Sequence, residues 1–280
     1  MTVSIVTDSA CDLSDDQVRE FAIEVVPLSI RFGADEFVDR IELTVADFYR
    51  RMRESAALPE TAAPSVGAFE TAFRKALAAG ADAVVCVNLS AGLSATMQSA
   101  QNAAKALEGE LDVHVVDSQS VTTGLGSLVL EAARAARDGK TADEIVALVE
   151  ALRARTFVYG TLDTLENLKK GGRVGAAKAL LGTMLSFKPL VAVRDGVVAE
   201  AGRARTRKKA MAWLAEQVLA HPHVEHLSVV HAQAADIDDF LALLAPGYDK
   251  DDIEVGLLGA VIGTHGGPGV IGVTFQTPAS

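Results

Sequence analysis

The stretch that most constrains the fold is an apolar run followed directly by a short turn and an alanine-rich segment. Residues 84–87 (VVCV) are typical of a strand buried on both faces, and residues 88–92 (NLSAG) favour a turn. Ser94 then precedes the alanine-rich, helix-favouring segment. Backbone N–H groups and the hydroxyls of Ser90 and Ser94 would converge there and could bind an anion. The same pattern is also explained if Ser94 only caps a helix.

The alternation of strand and helix extends over the first half of the chain. Strands predicted at residues 3–7, 84–87 and 111–116 end in Asp-Ser, Asn-Leu-Ser and Asp-Ser, and a helical pattern follows each of them. This alternation predicts a parallel sheet, and such sheets bind ligands at the carboxyl ends of their strands. We therefore expect an N-terminal parallel-sheet α/β domain over residues 1–155. It carries the possible anion site at residues 88–94, which we call the serine loop.

The pattern changes near residue 156. Asp195-Gly196 separates two apolar runs, which is a strong signal for a β-hairpin. Further strands and helices follow, and a glycine-rich turn precedes the last strand. This order predicts a C-terminal α/β domain with a mixed sheet over residues 156–280, packed closely against the first domain.

Composition narrows the class of protein. The net charge of −11 argues against nucleic acid as a partner, because phosphate binding needs a cationic face. The two cysteines provide no disulfide framework, and Cys86 falls in a predicted buried strand. The first residues lack the pattern of a secretion signal, and no apolar run approaches membrane-spanning length. We therefore expect a cytoplasmic protein.

The common catalytic motifs do not occur in the sequence. It contains no GxxxxGK[ST] loop, no GxGxxG after the first strand, no HExxH and no Cys/His cluster with metal spacing. Ser90 does not lie in a GxSxG elbow. These observations favour a binding protein over an enzyme. We expect the protein to have no catalytic residue and to bind no metal and no cofactor.

Several polar residues remain as candidates, each with two interpretations. His265 lies in GTHGGPG, where glycines leave the imidazole unshielded, and a functional and a structural role are equally open. Residues 55–65 (SAALPETAAPS) contain two prolines and are predicted to be a loop, and the hydroxyls of Thr61 and Ser65 in such a loop usually just hydrogen-bond to turn backbone. The basic groups at 169–173 (KKGGR) and 203–209 (RARTRKK) fit a solvated face, a phosphate or an acidic partner.

A series of sequence blocks carries a resemblance that extends over nearly the whole chain. The blocks, in order, are IVTDSACDL, VVPLSIRF, TAAPS at 61–65, LSAGLSATMQSA at 89–100, VVDSQSVTTGLG at 115–126, TLENLKKGGRV at 164–174, KPLVAVRDG and THGGPGVIGVTF. In this order they resemble the DegV family of bacterial fatty-acid-binding proteins, the FakB-type acyl carriers. Two departures from the family pattern are Ala62-Ala63 in place of a polar pair and Ala95 in place of glycine. Neither removes a hydroxyl expected to touch a ligand.

The resemblance implies a ligand and the residues that hold it. A long-chain fatty acid would bind between two α/β domains, with its acyl chain in an apolar tunnel. Its carboxylate would be held by Thr61, Ser94 and His265. The residues expected to support this site are Ser65, Ser90 and Gly266.

The resemblance also implies a partner. A fatty acid kinase would phosphorylate the bound carboxylate, and the acyl phosphate would enter phospholipid synthesis. Arg173 and Arg205 are assigned to kinase docking by the same resemblance. We expect a monomer without phosphoryl-transfer activity of its own, and transient contact with a membrane is compatible with this role.

An enzyme is the alternative to a carrier. It would act on a small anionic metabolite at the same strand ends, with His265 as general base. A long apolar tunnel behind Ser94 would favour the carrier, whereas a small polar pocket with a second titratable group near His265 would favour the enzyme. A sensor of acyl supply would use the same pocket as a carrier.

Overall fold

The strands form three sheets within residues 2–55, 57–177 and 187–279, which the computed structural model describes. The strands are β1 (Val3–Asp8), β2 (Glu24–Val26), β3 (Ser29–Phe32), β4 (Asp35–Val38), β5 (Glu60–Ala62), β6 (Ala83–Asn88), β7 (Asp112–Asp117), β8 (Thr156–Thr161), β9 (Lys188–Arg194), β10 (Val197–Ala204), β11 (Glu225–His231), β12 (Glu254–Leu257) and β13 (Ile271–Gln276). The helices are α1 (Asp15–Glu20), α2 (Val45–Glu54), α3 (Val66–Ala78), α4 (Thr96–Ala106), α5 (Thr122–Arg137), α6 (Ala142–Arg153), α7 (Glu166–Lys170), α8 (Arg207–Leu219), α9 (Ile237–Leu244) and α10 (Ala260–Gly266).

The N-terminal sheet is parallel and has the order β2-β1-β6-β7, as the alternation of strands and helices predicts. Every residue of β6 is buried, because helices cover both faces of the sheet. Val84 and Cys86 pack with α3 and α4 on one face, and Val85 and Val87 pack with α5 and α6 on the other. The uniformly apolar sequence of this strand follows from that double burial.

The second large sheet is mixed and has the order β10-β9-β8-β13-β11-β12. Its strands pair antiparallel except for β11 and β12, which are parallel. The hairpin prediction is confirmed, since β9 and β10 are joined by Asp195 and Gly196 with φ of 49° and 74°. Two consecutive positive φ values are those of a type I′ turn. The fold is therefore the predicted α/β fold with a parallel and a mixed sheet, and a domain boundary at residue 155 stays a prediction.

A small antiparallel sheet, β4-β3-β5, is absent from the sequence-based prediction. The segment 55–65 was expected to be a loop, but β5 pairs with β3 and places Thr61 opposite Ile30. A strand of three residues is too short to show an alternating pattern, and its partner lies far away in the sequence. Thr61 is consequently held in an extended strand and not in a flexible turn.

The position of His265 also differs from the prediction. The sequence places it in a glycine-rich turn, whereas the structure places it in the last turn of α10. The turn comes afterwards, at Gly267 and Gly269, whose φ values are 82° and 76°. A helix of seven residues with two glycines has too little pattern to be recognised from sequence.

Polar contacts fix α10 against the N-terminal half of the chain. Asp12 Oδ2 accepts hydrogen bonds from Thr122 Oγ1 at 2.6 Å and from the backbone N–H of Gly259, just before α10, at 3.2 Å. Tyr49 donates its hydroxyl to the carbonyl of Leu258 at 2.8 Å. These bonds hold Leu258 and Gly259, the two residues that precede α10, so the start of the helix that carries His265 is fixed from the opposite half of the molecule.

Candidate functional site

An apolar cavity lies between the mixed sheet and the carboxyl edge of the parallel sheet. It contains about 950 Å³ of empty space, including its open end. Strands β8, β9, β10, β11 and β13 and helix α10 line one side. The segments that follow β2, β6 and β7 line the other side and contribute Leu28, Leu89, Leu93 and Val121. The cavity thus lies at the edge where the parallel sheet predicts a ligand.

The polar residues of the lining fall into two groups. Thr122 donates to Asp12, and Thr274 is paired with Thr123 at 2.8 Å, so both hydroxyls are used within the fold. The second group comprises Thr61, Ser94, Arg173 and His265. Within this group Thr61 and His265 are in direct contact, and Arg173 bonds to the backbone of Leu93, next to Ser94, and of Gly171, which packs on His265.

Thr61 and His265 are the centre of this polar region. Thr61 Oγ1 and His265 Nε2 lie 2.9 Å apart, within hydrogen-bond distance, although the residues are far apart in the sequence. The other ring nitrogen, Nδ1, is buried without a hydrogen-bond partner among the described residues. Gly171 packs against this nitrogen so closely that a methyl group at position 171 would overlap it. The glycine therefore leaves room for the imidazole.

The protonation of His265 follows from its surroundings. Burial and, to a smaller extent, the positive charge of Arg173 together lower the pKa of the imidazole to about 4. The ring is therefore neutral near pH 7. A general base works best when its pKa is near the operating pH, so this histidine is poorly suited to that role.

Arg173 joins the two segments that flank the polar region. Its Nε donates to the carbonyl of Leu93 at 3.0 Å, and its Nη1 donates to the carbonyl of Gly171 at 2.6 Å. The first bond reaches the residue before Ser94, and the second reaches the residue that packs on His265. The guanidinium is half-buried and lines the cavity, which the assignment to kinase docking did not predict.

Ser94 lies beside the beginning of α4. Its hydroxyl is 2.8 Å from Thr96 Oγ1 and accepts from the backbone N–H of Thr96 at 3.3 Å. The residue at the N-cap position is Ala95, which has no side-chain acceptor, so Ser94 contacts the first turn from one residue further out. The side chain also lines the cavity, together with Gly266 of α10. The structure thus brings Thr61, Ser94, His265 and Gly266 to one cavity.

Ser65 and Ser90, which the sequence analysis expects to support the site, do not line the cavity. Ser65 is exposed and caps α3, where its hydroxyl accepts from the N–H of Ala68 at 3.1 Å. Ser90 is buried and donates to the carbonyl of Gly196 at 2.5 Å, which fastens the β9–β10 hairpin to the serine loop. Arg205 is exposed between β10 and α8 and does not line the cavity either.

The polar residues at the strand ends stabilise the loops. Asp8 accepts from the N–H of Leu89 at 2.8 Å and from Asn88 Nδ2 at 3.1 Å. Burial raises the pKa of Asp8 to about 6. Neither Asp8 nor Asn88 lines the cavity. The sequence prediction missed the leucines that do line it, although Leu89 and Leu93 flank the serine and glycine of the same loop.

The described residues form neither a cluster of metal ligands nor a membrane-spanning helix. No group of three or more His, Cys, Asp or Glu side chains in that part of the chain could hold a metal ion. No helix in the ranges 2–55, 57–177 and 187–279 is long and apolar enough to cross a membrane.

Comparison with known proteins gives matches over nearly the whole chain. Residues 2–277 match the family described as "Uncharacterised protein, DegV family". A DegV domain-containing protein of Deinococcus radiodurans is 36% identical over 284 aligned residues, which cover 99% of each chain.

Solved structures show the same fold. A DegV family protein from Thermus thermophilus, described by its fatty acid binding, is 35% identical with a TM-score of 0.91 and covers 99% of this chain and 100% of its own. DegV from Bacillus subtilis, described as a fatty acid binding protein, is 28% identical with a TM-score of 0.89 and coverage of 99% and 100%. A stearic-acid-binding protein from Eubacterium ventriosum is 28% identical with a TM-score of 0.86 and coverage of 98% for both chains.

Proposed function

The chain belongs to the DegV family, and we propose that it binds a long-chain fatty acid in the apolar cavity. The carboxylate would lie at Thr61, Ser94 and His265, and the acyl chain would extend between the two sheets. The observation that carries this proposal is an aliphatic cavity whose wall includes the hydroxyls of Thr61 and Ser94 and the imidazole of His265. The ligands of the similar structures from Thermus thermophilus and Eubacterium ventriosum support it.

The acyl chain supplies most of the affinity in this proposal. Each buried methylene contributes about 0.8 kcal/mol, so roughly fifteen methylenes contribute on the order of 10 kcal/mol before the costs of association. The polar group then determines which end of the ligand faces outward. This division predicts that chain length changes affinity strongly, whereas the carboxylate contacts set the orientation.

The carboxylate can be received without burying an unpaired charge. With its proton on Nε2, the neutral imidazole of His265 donates to Thr61 Oγ1, which leaves the threonine hydroxyl free to donate to the ligand. The hydroxyl of Ser94 can also donate to the ligand, once it turns away from Thr96. The charge of Arg173, beside both residues, favours the ionised form of the carboxylate.

We further propose that the protein is a FakB-type carrier in a fatty acid kinase system. It would present the carboxylate to a cytoplasmic kinase subunit, and the resulting acyl phosphate would serve phospholipid synthesis. The exposed Arg205 and the partly exposed Arg173 would contact that kinase. The protein itself would bind and orient the substrate without transferring the phosphoryl group.

The double variant Thr61→Ala with Ser94→Ala tests the carboxylate site. Loss of two hydrogen bonds to an ionised group should weaken palmitate binding about tenfold to a hundredfold in titration calorimetry. Ser65→Ala is the matched control, because this exposed hydroxyl only caps α3 and its loss should leave palmitate binding unchanged. Wild-type affinity in the double variant would refute the assignment of the carboxylate site.

A further inference from the structure

The apolar cavity has a second pair of polar side chains in its wall, and this pair is buried more deeply than the first. Thr61 and Ser94, at the carboxylate site, are partly exposed, so the cavity opens there. Thr122 and Thr274 line the same cavity with only 3% and 1% of their surfaces exposed. These two threonines therefore belong to a closed part of the cavity.

The direction of the strands places Thr274 far from the carboxylate site. Strand β8 continues through Leu162 to α7 and then to Arg173, beside the carboxylate site. Thr274 pairs with Val158, which lies near the other end of β8 and four residues before Leu162. Four residues of extended chain span roughly 13 Å. Thr274 thus lies at the end of the cavity where the tail of an acyl chain would lie.

Thr122 lies at the same closed end. Its hydroxyl donates to Asp12, which also holds the residue before α10, whereas His265 lies in the last turn of that helix. The next residue, Thr123, is within hydrogen-bond distance of Thr274, with 2.8 Å between the two hydroxyl oxygens. Thr122 and Thr274 are therefore neighbours at the end of the cavity.

The backbone of Thr122 is strained. Its φ is 50°, in the left-handed region that β-branched residues rarely adopt. Residues held in such conformations are concentrated at sites that bind ligands, where the surrounding structure imposes the strain. Here the hydrogen bond to Asp12 fixes the hydroxyl of a strained residue in the wall of the cavity. This observation supports a role for Thr122 beyond the packing of α5.

The hydroxyls at the closed end can form more hydrogen bonds than those within the fold. Each threonine hydroxyl has one proton and two lone pairs. The bond between Thr123 and Thr274 uses only one of their two protons, so Thr274 keeps its own proton when Thr123 is the donor. Thr122 donates its proton to Asp12 and keeps its lone pairs. The closed end therefore offers one donor and one acceptor.

A hydroxyl group at the end of an acyl chain matches this pair. It can accept from Thr274 and donate to Thr122, which completes a chain of hydrogen bonds that ends at Asp12. A second carboxylate does not match, because it would be a buried charge without a partner. Among the described residues that line the cavity the cation is Arg173, at the opposite end.

We propose that the closed end of the cavity is a subsite for a terminal hydroxyl group, and that the ligands of this protein include long-chain ω-hydroxy fatty acids. The carboxylate stays at the open end, and Thr122 and Thr274 bind the hydroxyl at the other end of the chain. This inference rests on the proposed binding of a fatty acid. It adds a class of substrate and the two residues that select it.

Titration calorimetry with pairs of ligands of equal chain length tests the subsite. Each pair consists of a saturated fatty acid and its ω-hydroxy derivative, from dodecanoate to octadecanoate, so the contribution of the chain cancels in the ratio of the two Kd values. Wild-type protein should bind the ω-hydroxy acid at least as tightly as the plain acid at the one length that brings the hydroxyl to the threonines. At the other lengths the hydroxyl is buried without a partner and should weaken binding about tenfold or more.

Thr274→Val keeps the shape of the side chain and removes its hydroxyl. At the matching length the ω-hydroxy acid should then bind this variant about tenfold more weakly than the plain acid does. Binding of the plain acid shows that the cavity of the variant is intact. Thr71→Val makes the same change on the exposed side of α3 and should give the wild-type ratio at every length.

The outcomes separate this inference from the proposed function. A wild-type protein that binds palmitate, but in which the hydroxyl weakens binding at every chain length, would overturn the subsite and leave fatty acid binding intact. A wild-type ratio in Thr274→Val would also overturn the subsite. The wild-type series decides the question even if the variant does not fold. A wild-type protein that does not bind palmitate would overturn the proposed function together with the subsite.

Discussion

Two spaces of similar size lie between the halves of the molecule, and their chemistry is opposite. The apolar cavity contains about 950 Å³ of empty space, and an acidic cleft lined by Asp12, Asp39 and Glu254 contains about 1080 Å³. Both include Val230 in their lining, and α10 begins where they meet. Size alone does not mark a ligand site in this protein.

The two spaces differ in what their polar groups are bonded to. In the acidic cleft, Asp12 accepts from Thr122 and Gly259, and Arg40 pairs with Asp15 at 2.7 Å. The bond from Gly259 connects the halves of the chain, the other two lie within the N-terminal half, and a ligand would have to break them. In the apolar cavity the neutral hydroxyls pair with a neutral imidazole or with each other, so they can turn to a carboxylate at little cost. The acidic cleft is thus a structural junction, and the apolar cavity is adapted to a ligand.

The largest expected effect comes from filling the apolar cavity. Gly160 of β8 lines it, and a Cβ at this position would meet only ordinary contacts, at 3.7 Å from the Ile271 carbonyl and from Val191. Gly160→Leu should displace about three methylenes of the ligand and weaken palmitate binding roughly fiftyfold, measured by titration calorimetry. Gly160→Ala is the control and should bind nearly like the wild type. Equal affinities for all three proteins would place the acyl chain elsewhere.

A smaller effect is expected at the polar end of the cavity. Gly171→Ala places a methyl group on His265 Nδ1, so the imidazole must shift and its bond to Thr61 is weakened. We expect about a tenfold loss of palmitate affinity without a loss of fold, because Gly171 has the ordinary helical conformation that alanine accepts. Gly67→Ala, on α3 away from the cavity, controls for an added methyl group. A Gly171→Ala variant with wild-type affinity would exclude His265 from the carboxylate site.

The acidic cleft should make the stability of the fold depend on pH, and it should not affect fatty acid binding. Loss of hydration between the halves raises the pKa of Asp12 to about 7, above its ordinary value of 3.8. The native state therefore binds this proton more tightly than the unfolded state, and the wild type gains stability as pH falls from about 7 towards 4.

Asp12→Asn removes that dependence while keeping the shape of the side chain. Urea titrations at pH 8 and at pH 5 give the free energy of unfolding of the wild type and of this variant. The wild-type value minus the variant value should be about 1–3 kcal/mol larger at pH 5 than at pH 8. Palmitate affinity of the variant should stay near that of the wild type. A difference in stability that is independent of pH would contradict the raised pKa.

The sequence could predict the parts of the fold that local pattern determines. The buried strand β6, the Asp195-Gly196 turn and the helix after Ser94 are each encoded within about ten neighbouring residues. The pairing of Thr61 with His265 depends on β5 and α10, which are too short to show a period and meet only in the folded chain. Pattern alone therefore could not assign their contact.

The serine loop shows the same limit at a smaller scale. Ser90 and Ser94 lie four residues apart in one loop and look equivalent in the sequence. The hydroxyl of Ser90 donates a hydrogen bond to Gly196 in the β9–β10 turn, whereas Ser94 lines the cavity. Which serine can meet a ligand is decided by a hairpin about one hundred residues away in the sequence, so only tertiary structure separates them.

The most direct test is mass spectrometry of the organic extract of freshly purified protein, quantified against the protein. A bound fatty acid makes many apolar contacts and should survive purification, so we expect about one long-chain fatty acid per wild-type chain and much less for Gly160→Leu. The extract would also show the preferred chain length and saturation. Wild-type protein that carries no lipid, and that binds no palmitate when it is added back, would contradict the assignment of the apolar cavity to a fatty acid.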